Sequence, residues 1–189
     1  MKLAKNLERL GTETAFSVLA EAKKLEAQGK EMIHLGLGQP DFKTPKHIAD
    51  AAKKAIDDGH HGYVLANGTL ECREAVSRKI KTLYKKEISP ERVMIMPGGK
   101  PTMFFAISMI GEPGSEIIHP TPGFPIYESM INYTGAQAVP YDLTEDKDLQ
   151  FDPEKILSLI TEKTRLLILI NPNNPTGSFV EKSKIDFLA

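Results

Sequence analysis

Apolar residues recur along the chain in two successive rhythms. From Thr12 to Gln28, Phe16, Leu19, Ala20, Ala22 and Leu25 fall at helical spacing, and Gly29 follows as a stop, which predicts an amphipathic helix. The short apolar stretch between Glu31 and Gly38 predicts a strand leading into the loop QPDFKTP. Pro45 suits the first turn of a helix with Thr44 as its cap, and Ile48, Ala52 and Ile56 carry that helix to Gly59. A further helical pattern runs from Leu70 to Lys86.

Beyond that point the rhythm becomes strand, turn, helix. Strands are predicted at Val93–Met96, Glu116–His119, Ala136–Leu143 and Arg165–Ile170, with helices in PTMFFAISMI, Tyr127–Tyr133 and Glu154–Ile160 between them. The run RLLILI is apolar throughout, the pattern of a strand covered on both faces, so the reading is an α/β domain with a mainly parallel sheet. Its crossovers are expected to be right-handed. A last helix begins near Lys182 with Ile185, Phe187 and Leu188 on its apolar face and meets the terminal Ala189 within two turns. So short a helix is marginal alone, and the architecture is expected to be cut off in mid-unit.

Composition narrows the function classes. At 189 residues the chain falls within the range of one domain, and a formal net charge of -1 argues against a nucleic-acid footprint or an electrostatic membrane anchor. The expected partners are small molecules and protein. Cys72 is the single cysteine, which excludes an intrachain disulfide and a thiolate zinc cluster and fits a cytoplasmic setting. The opening MKLAKNLERLGTETAF scatters charge where a signal peptide needs an apolar region, and no apolar run approaches a bilayer-spanning length.

Two loops carry candidate chemistry. In MPGGK, Gly98 and Gly99 allow a sharp strand-to-helix turn with close backbone approach to a ligand, and the first helical amides present the positive end of the dipole to an anion. The same pair of glycines also makes an ordinary tight turn, and the spacing matches neither a dinucleotide nor a nucleoside-triphosphate loop. In NPNNPTG, which follows the most apolar strand, two Asn-Pro pairs bias Asn171 and Asn174 toward extended backbone, at the strand end where open α/β sheets bind ligands. An amide fixed there donates to an anionic oxygen without carrying charge. His60 and His61 are adjacent, so they converge poorly on one ion, and no metal site is expected.

The string NPNNPTG resembles the fold-type I pyridoxal-phosphate aminotransferases, class I/II, and other segments agree with it in order. GLGQPDFKTP is similar to that family's substrate-side loop, YVLANGTLECREAV to its YxxxxGxxxLREAI segment, PGGK to its phosphate loop and HPTPGFPIY to its PxPxWxxY region. The resemblance implies a three-layer α/β/α fold with an incomplete large domain plus the N-terminal part of the small domain. It divides the chain into residues 1–45, an arm and part of the small domain, and residues 46–189, the N-terminal part of the large, cofactor-binding domain. It implies pyridoxal 5'-phosphate as cofactor, an amino acid and a 2-oxo acid as substrates, and a homodimer.

Residue by residue, the resemblance gives the amides of Gly99 and Lys100, helped by Gly98, to the cofactor phosphate. Phe124 stands where the family has tryptophan or another aromatic stacked on the pyridine ring, without the indole N–H. Asn174 would donate to the phenolic O3', Tyr63 would reach the phosphate held by the neighbouring subunit, and the backbone of Gly38 would meet the substrate carboxylate. The family's imine-forming lysine, ring-nitrogen aspartate and carboxylate-gripping arginine follow the NPxNPTG segment at a distance, so they are expected beyond Ala189. The 189 residues are therefore expected to show no transaminase turnover by themselves. Two alternatives remain open: another fold-type I reaction such as C–S cleavage, and a non-enzymatic half-chain module that pairs with a complementary chain.

Overall fold

The computed structural model describes residues 2–11 and 14–189, so Thr12 and Glu13, the first two residues of the predicted Thr12–Gln28 helix, lie outside the described residues. The helices are α1 (Thr14–Ala27), α2 (Lys46–Asp57), α3 (Leu70–Tyr84), α4 (Gly99–Ile110), α5 (Ile126–Thr134), α6 (Pro153–Leu159) and α7 (Lys182–Leu188). Three strands, β1 (Glu116–Thr121), β2 (Gln137–Asp142) and β3 (Thr164–Leu167), complete the regular elements. The chain divides into two units, Val18–Gly99 and a second formed by Met1–Ser17 with Lys100–Ala189.

The second unit holds the sheet. Its order is β2-β1-β3, and both pairings are parallel. Side chains alternate across β1, so the two faces build separate cores. Ile117 packs with Ile107 of α4, Met130 and Ile131 of α5, and Ala136. Ile118 packs on the other side with Tyr141, Leu143, Phe151, Ile156 of α6 and Val180, and Ile185 and Leu188 of α7 join this cluster. The result is the expected α/β/α layering around a parallel sheet.

Local chemistry explains the element ends. Asp152 caps α6 by accepting from the amides of Glu154 and Lys155, with Pro153 in the first turn. Gly135 closes α5 at a φ of 87°, a left-handed position that glycine takes without strain. Arg9 ties the N-terminal segment to the same place, its guanidinium donating to the carbonyls of Asn132 and Tyr133 at 2.8 and 2.9 Å.

In the Val18–Gly99 unit, α3 is capped by Thr69, whose side chain accepts from the Cys72 amide. Arg73, only 2 % exposed, donates to the carbonyls of Gly68 and Pro90 at 3.2 and 3.0 Å and faces Glu91 at 3.4 Å. A buried guanidinium with these partners has its donors served, and it fixes the Ser89–Arg92 segment against the start of α3.

Several expectations need correction. Val93–Met96 is not a strand: Ile95 donates to the Asn67 carbonyl at 3.1 Å, but no ladder forms along the segment. The Glu31–Gly38 stretch is also irregular, with Ile33 and Leu35 left 84 % and 90 % exposed, because nothing among the described residues pairs with its backbone groups. Thr44 does not cap α2; Pro45 occupies the cap position without a side-chain bond. The strand covered on both faces is β1, whereas β3 lies at the edge of the described sheet and is partly exposed. No helix among the described residues is long and apolar enough to cross a membrane.

Candidate active site

The carboxyl ends of β1 and β3 point the same way, and a loop leaves each. The first loop, Pro122–Pro125, turns sharply at Gly123, where an added Cβ would lie 2.4 Å from the Pro120 carbonyl oxygen. Only glycine fits so close an approach, and the turn delivers Phe124 beside α5. The Phe124 ring meets Tyr127 edge to face at a centroid distance of 6.2 Å.

The second loop carries Asn171–Gly177. Gly177 donates to the Asn173 carbonyl at 2.8 Å and Asn173 donates to the Ser178 carbonyl at 2.9 Å, closing a turn. Its two Asn-Pro peptide bonds are cis, and Asn174 lies within the turn. The three asparagines divide the work. Asn171 is bonded both ways to Val180, accepting from its amide at 3.0 Å and donating to its carbonyl at 3.3 Å. Asn173 is buried, and its Nδ2 donates to Thr176 Oγ1 at 2.9 Å and to the Pro122 carbonyl at 3.4 Å. Asn174 is exposed.

The Asn173–Pro122 bond joins the two loops, so the NPNNPTG turn sits against the loop that carries Phe124. Lys100, in the first turn of α4, reaches the same region: its Nζ lies 5.7 Å from the Phe124 ring centroid and 5.2 Å from that of Phe16. Thus Lys100, Phe124 and the asparagine loop share one end of the sheet, although their sequence positions are far apart.

Gly98 and Gly99 close the other unit and lead into α4. Gly98 has a φ of +101°, its amide donates to the Met96 carbonyl at 2.8 Å, and a Cβ at Gly98 or Gly99 would meet nothing within 4 Å. Gly98 therefore shapes the turn with its own N–H engaged. Within that unit Tyr63 is fully exposed, and Gly38 borders open space.

Burial perturbs two groups at the sheet. His119, on β1, is 6 % exposed, and its Nδ1–H donates to the Pro120 carbonyl at 3.2 Å. Loss of water holds its pKa below the usual imidazole value, against the opposing pull of that carbonyl and of Glu128. The Tyr141 hydroxyl is pushed well up by burial, so it remains a neutral donor, and it bonds to the Ile168 carbonyl at 3.0 Å.

The sequence motifs point to Asn174 and Phe124 and not to the residues beside them that shape the loops: Asn173 lies inside the motif next to Asn174, and Gly123 lies between Pro122 and Phe124. Pro120 was a usable signal, since a proline within a strand removes a ladder donor that some other group has to replace.

Comparisons with known proteins bear on the family and the fold. Residues 30–189 match the family model described as aminotransferase class I and II. The chain is 32% identical to the aspartate aminotransferase of Bacillus subtilis (strain 168) over 188 residues, which is 100% of this chain and 48% of that one. It is 35% identical to the (5-formylfuran-3-yl)methyl phosphate transaminase of Methanocaldococcus jannaschii over 185 residues, covering 98% of this chain and 48% of that protein. A solved aspartate aminotransferase from Thermus thermophilus, with maleate, superimposes at a TM-score of 0.93 with 30% identity, covering 100% of this chain and 49% of that chain. The chain thus spans about half the length of the relatives it matches. With the fold, the motif order and the family model in agreement over most of its length, the chain belongs to the aminotransferase class I and II family.

Proposed function

We propose that the protein carrying this chain is a pyridoxal-phosphate-dependent aminotransferase that moves an amino group between an amino acid and a 2-oxo acid. The observation that carries the reading is the gathering of Lys100, Phe124 and the Asn171–Gly177 turn at one end of the parallel sheet. Family membership supports the cofactor, since class I/II aminotransferases generally use pyridoxal phosphate.

The residues present fit that group. Open space fronts Gly98 and Gly99, and α4 begins at Gly99 with its amide dipoles aligned toward its N-terminus, which suits a phosphate. The amides of Gly99 and Lys100 would hold the phosphate, the Phe124 face would pack on the pyridine ring, and the exposed Asn174 amide would donate to the phenolic oxygen. A neutral donor stabilises that oxygen's anion without the desolvation cost of a second charge. When bound, the cofactor supplies an electron sink for the carbanion formed at the amino acid's Cα. Tyr63 is proposed to reach the phosphate of a second subunit, and the Gly38 backbone to meet the substrate carboxylate.

The relatives named above act on different substrates, so the chain's own substrate is left as an amino acid with a 2-oxo acid partner. The test is titration of the full polypeptide with pyridoxal phosphate, followed by assay with a panel of amino acids and 2-oxo acids. Saturable binding with amino transfer supports the reading. Saturable binding with release of ammonia and no amino transfer would favour elimination chemistry, and no binding would reject the cofactor.

A further inference from the structure

The central strand β1 carries a proline at a position where the ladder needs a donor. The carbonyls of Ser115 and Thr121 accept from Gln137 and Leu143 at 2.8 Å, so the odd-numbered peptide groups of β1 face β2. Glu116 donates to the Lys163 carbonyl and Ile118 accepts from the Ile168 amide, both at 2.9 Å, so the even-numbered groups face β3. Parallel pairing continues this pattern with an N–H at position 120 donating back to the Ile168 carbonyl. Pro120 has no N–H to give.

The Ile168 carbonyl is nevertheless served. Tyr141, from β2 on the opposite side of β1, extends its hydroxyl past Pro120 and donates to that carbonyl at 3.0 Å. The Tyr141 side chain is 3 % exposed, and its ring is held edge to face against Phe151 at a centroid distance of 5.9 Å. A buried ring seated in this way holds its hydroxyl at a fixed point. The segment it fastens leads directly from β3 into Asn171, whose own side chain is locked to Val180.

We propose that Tyr141 is a positioning residue: its hydroxyl replaces the donor missing at Pro120 and fixes the strand end from which the Asn171–Gly177 loop departs. Its consequence for cofactor binding rests on the function proposed above. The bond itself does not.

The test uses Tyr141→Phe in the full polypeptide, which keeps the ring against Phe151 and removes only the hydroxyl. Leaving a part-buried carbonyl unserved should speed hydrogen exchange at the amides of Asn173, Gly177 and Val180 by roughly tenfold without cofactor present. Amides within α5 should keep their rates. Pyridoxal phosphate affinity should fall by a similar factor. The double variant Pro120→Val with Tyr141→Phe returns an N–H to the ladder in a strand-favouring residue, and it should restore most of the loop's protection. Unchanged loop exchange in Tyr141→Phe overturns the proposal. So does acceleration spread evenly through β1 and α5, or failure of Pro120→Val to slow the loop. If the unaltered protein does not bind pyridoxal phosphate, the functional reading fails while the exchange rates still decide the role of Tyr141.

Discussion

The side-chain amide of Asn173 donates to the carbonyl of Pro122 at 3.4 Å, joining the loop after β3 to the loop after β1. Asn173 also serves Thr176, and it is buried, so its loss removes two hydrogen bonds from a part-buried site. Replacing it with alanine should cost about 1–3 kcal/mol of stability. Chemical denaturation checks the stability, and a cofactor titration should show weakened binding in the same variant because Asn174 and Phe124 lose their mutual alignment.

Gly123 gives a sharper steric prediction. A methyl group at this position meets the Pro120 carbonyl oxygen at 2.4 Å, and that atom belongs to the backbone of the central strand. Gly123→Ala should therefore shift the loop and move Phe124, with a stability loss on the order of 1–3 kcal/mol. A change in the thermal midpoint and a loss of cofactor affinity would be measured together. Phe124→Leu, which keeps bulk but loses the aromatic face, should weaken the cofactor roughly tenfold with little effect on the midpoint.

His119 predicts a pH dependence. Its folded pKa is depressed, chiefly by burial on β1, while Glu128 and the Pro120 carbonyl pull in the opposite direction. The unfolded chain takes up a proton near the ordinary value of 6.5 and the folded chain resists it. Its contribution to stability is thus present above that pH and is lost as pH falls through 6.5 toward the folded value. Denaturation midpoints measured across this window should decline with acid, and His119→Gln should flatten that part of the decline.

Much of this arrangement was legible in the residues. Helical spacing located α3 through its apolar positions, and the alternation from Glu116 onward gave the strand and helix order, because burial on two faces leaves long apolar runs. The motifs led to Lys100, Phe124 and Asn174. What periodicity could not supply was tertiary pairing. RLLILI is more apolar than EIIHPT, yet EIIHPT is the central strand, since centrality depends on which neighbours pair with it. VMIM has strand-like residues but no ladder, and Asn67 takes only one of its donors. The bonds from Asn173 to Pro122 and from Tyr141 to Ile168 span residues far apart in the chain, and no local pattern records them.

The most direct test of the account is the pH titration of the bound cofactor's visible absorbance in the full polypeptide, compared with that of an Asn174→Ala variant. If Asn174 donates to the phenolate as proposed, losing that hydrogen bond should raise the apparent pKa of the chromophore by about 1–2 units. An unchanged titration in Asn174→Ala would contradict the placement of Asn174 against the cofactor.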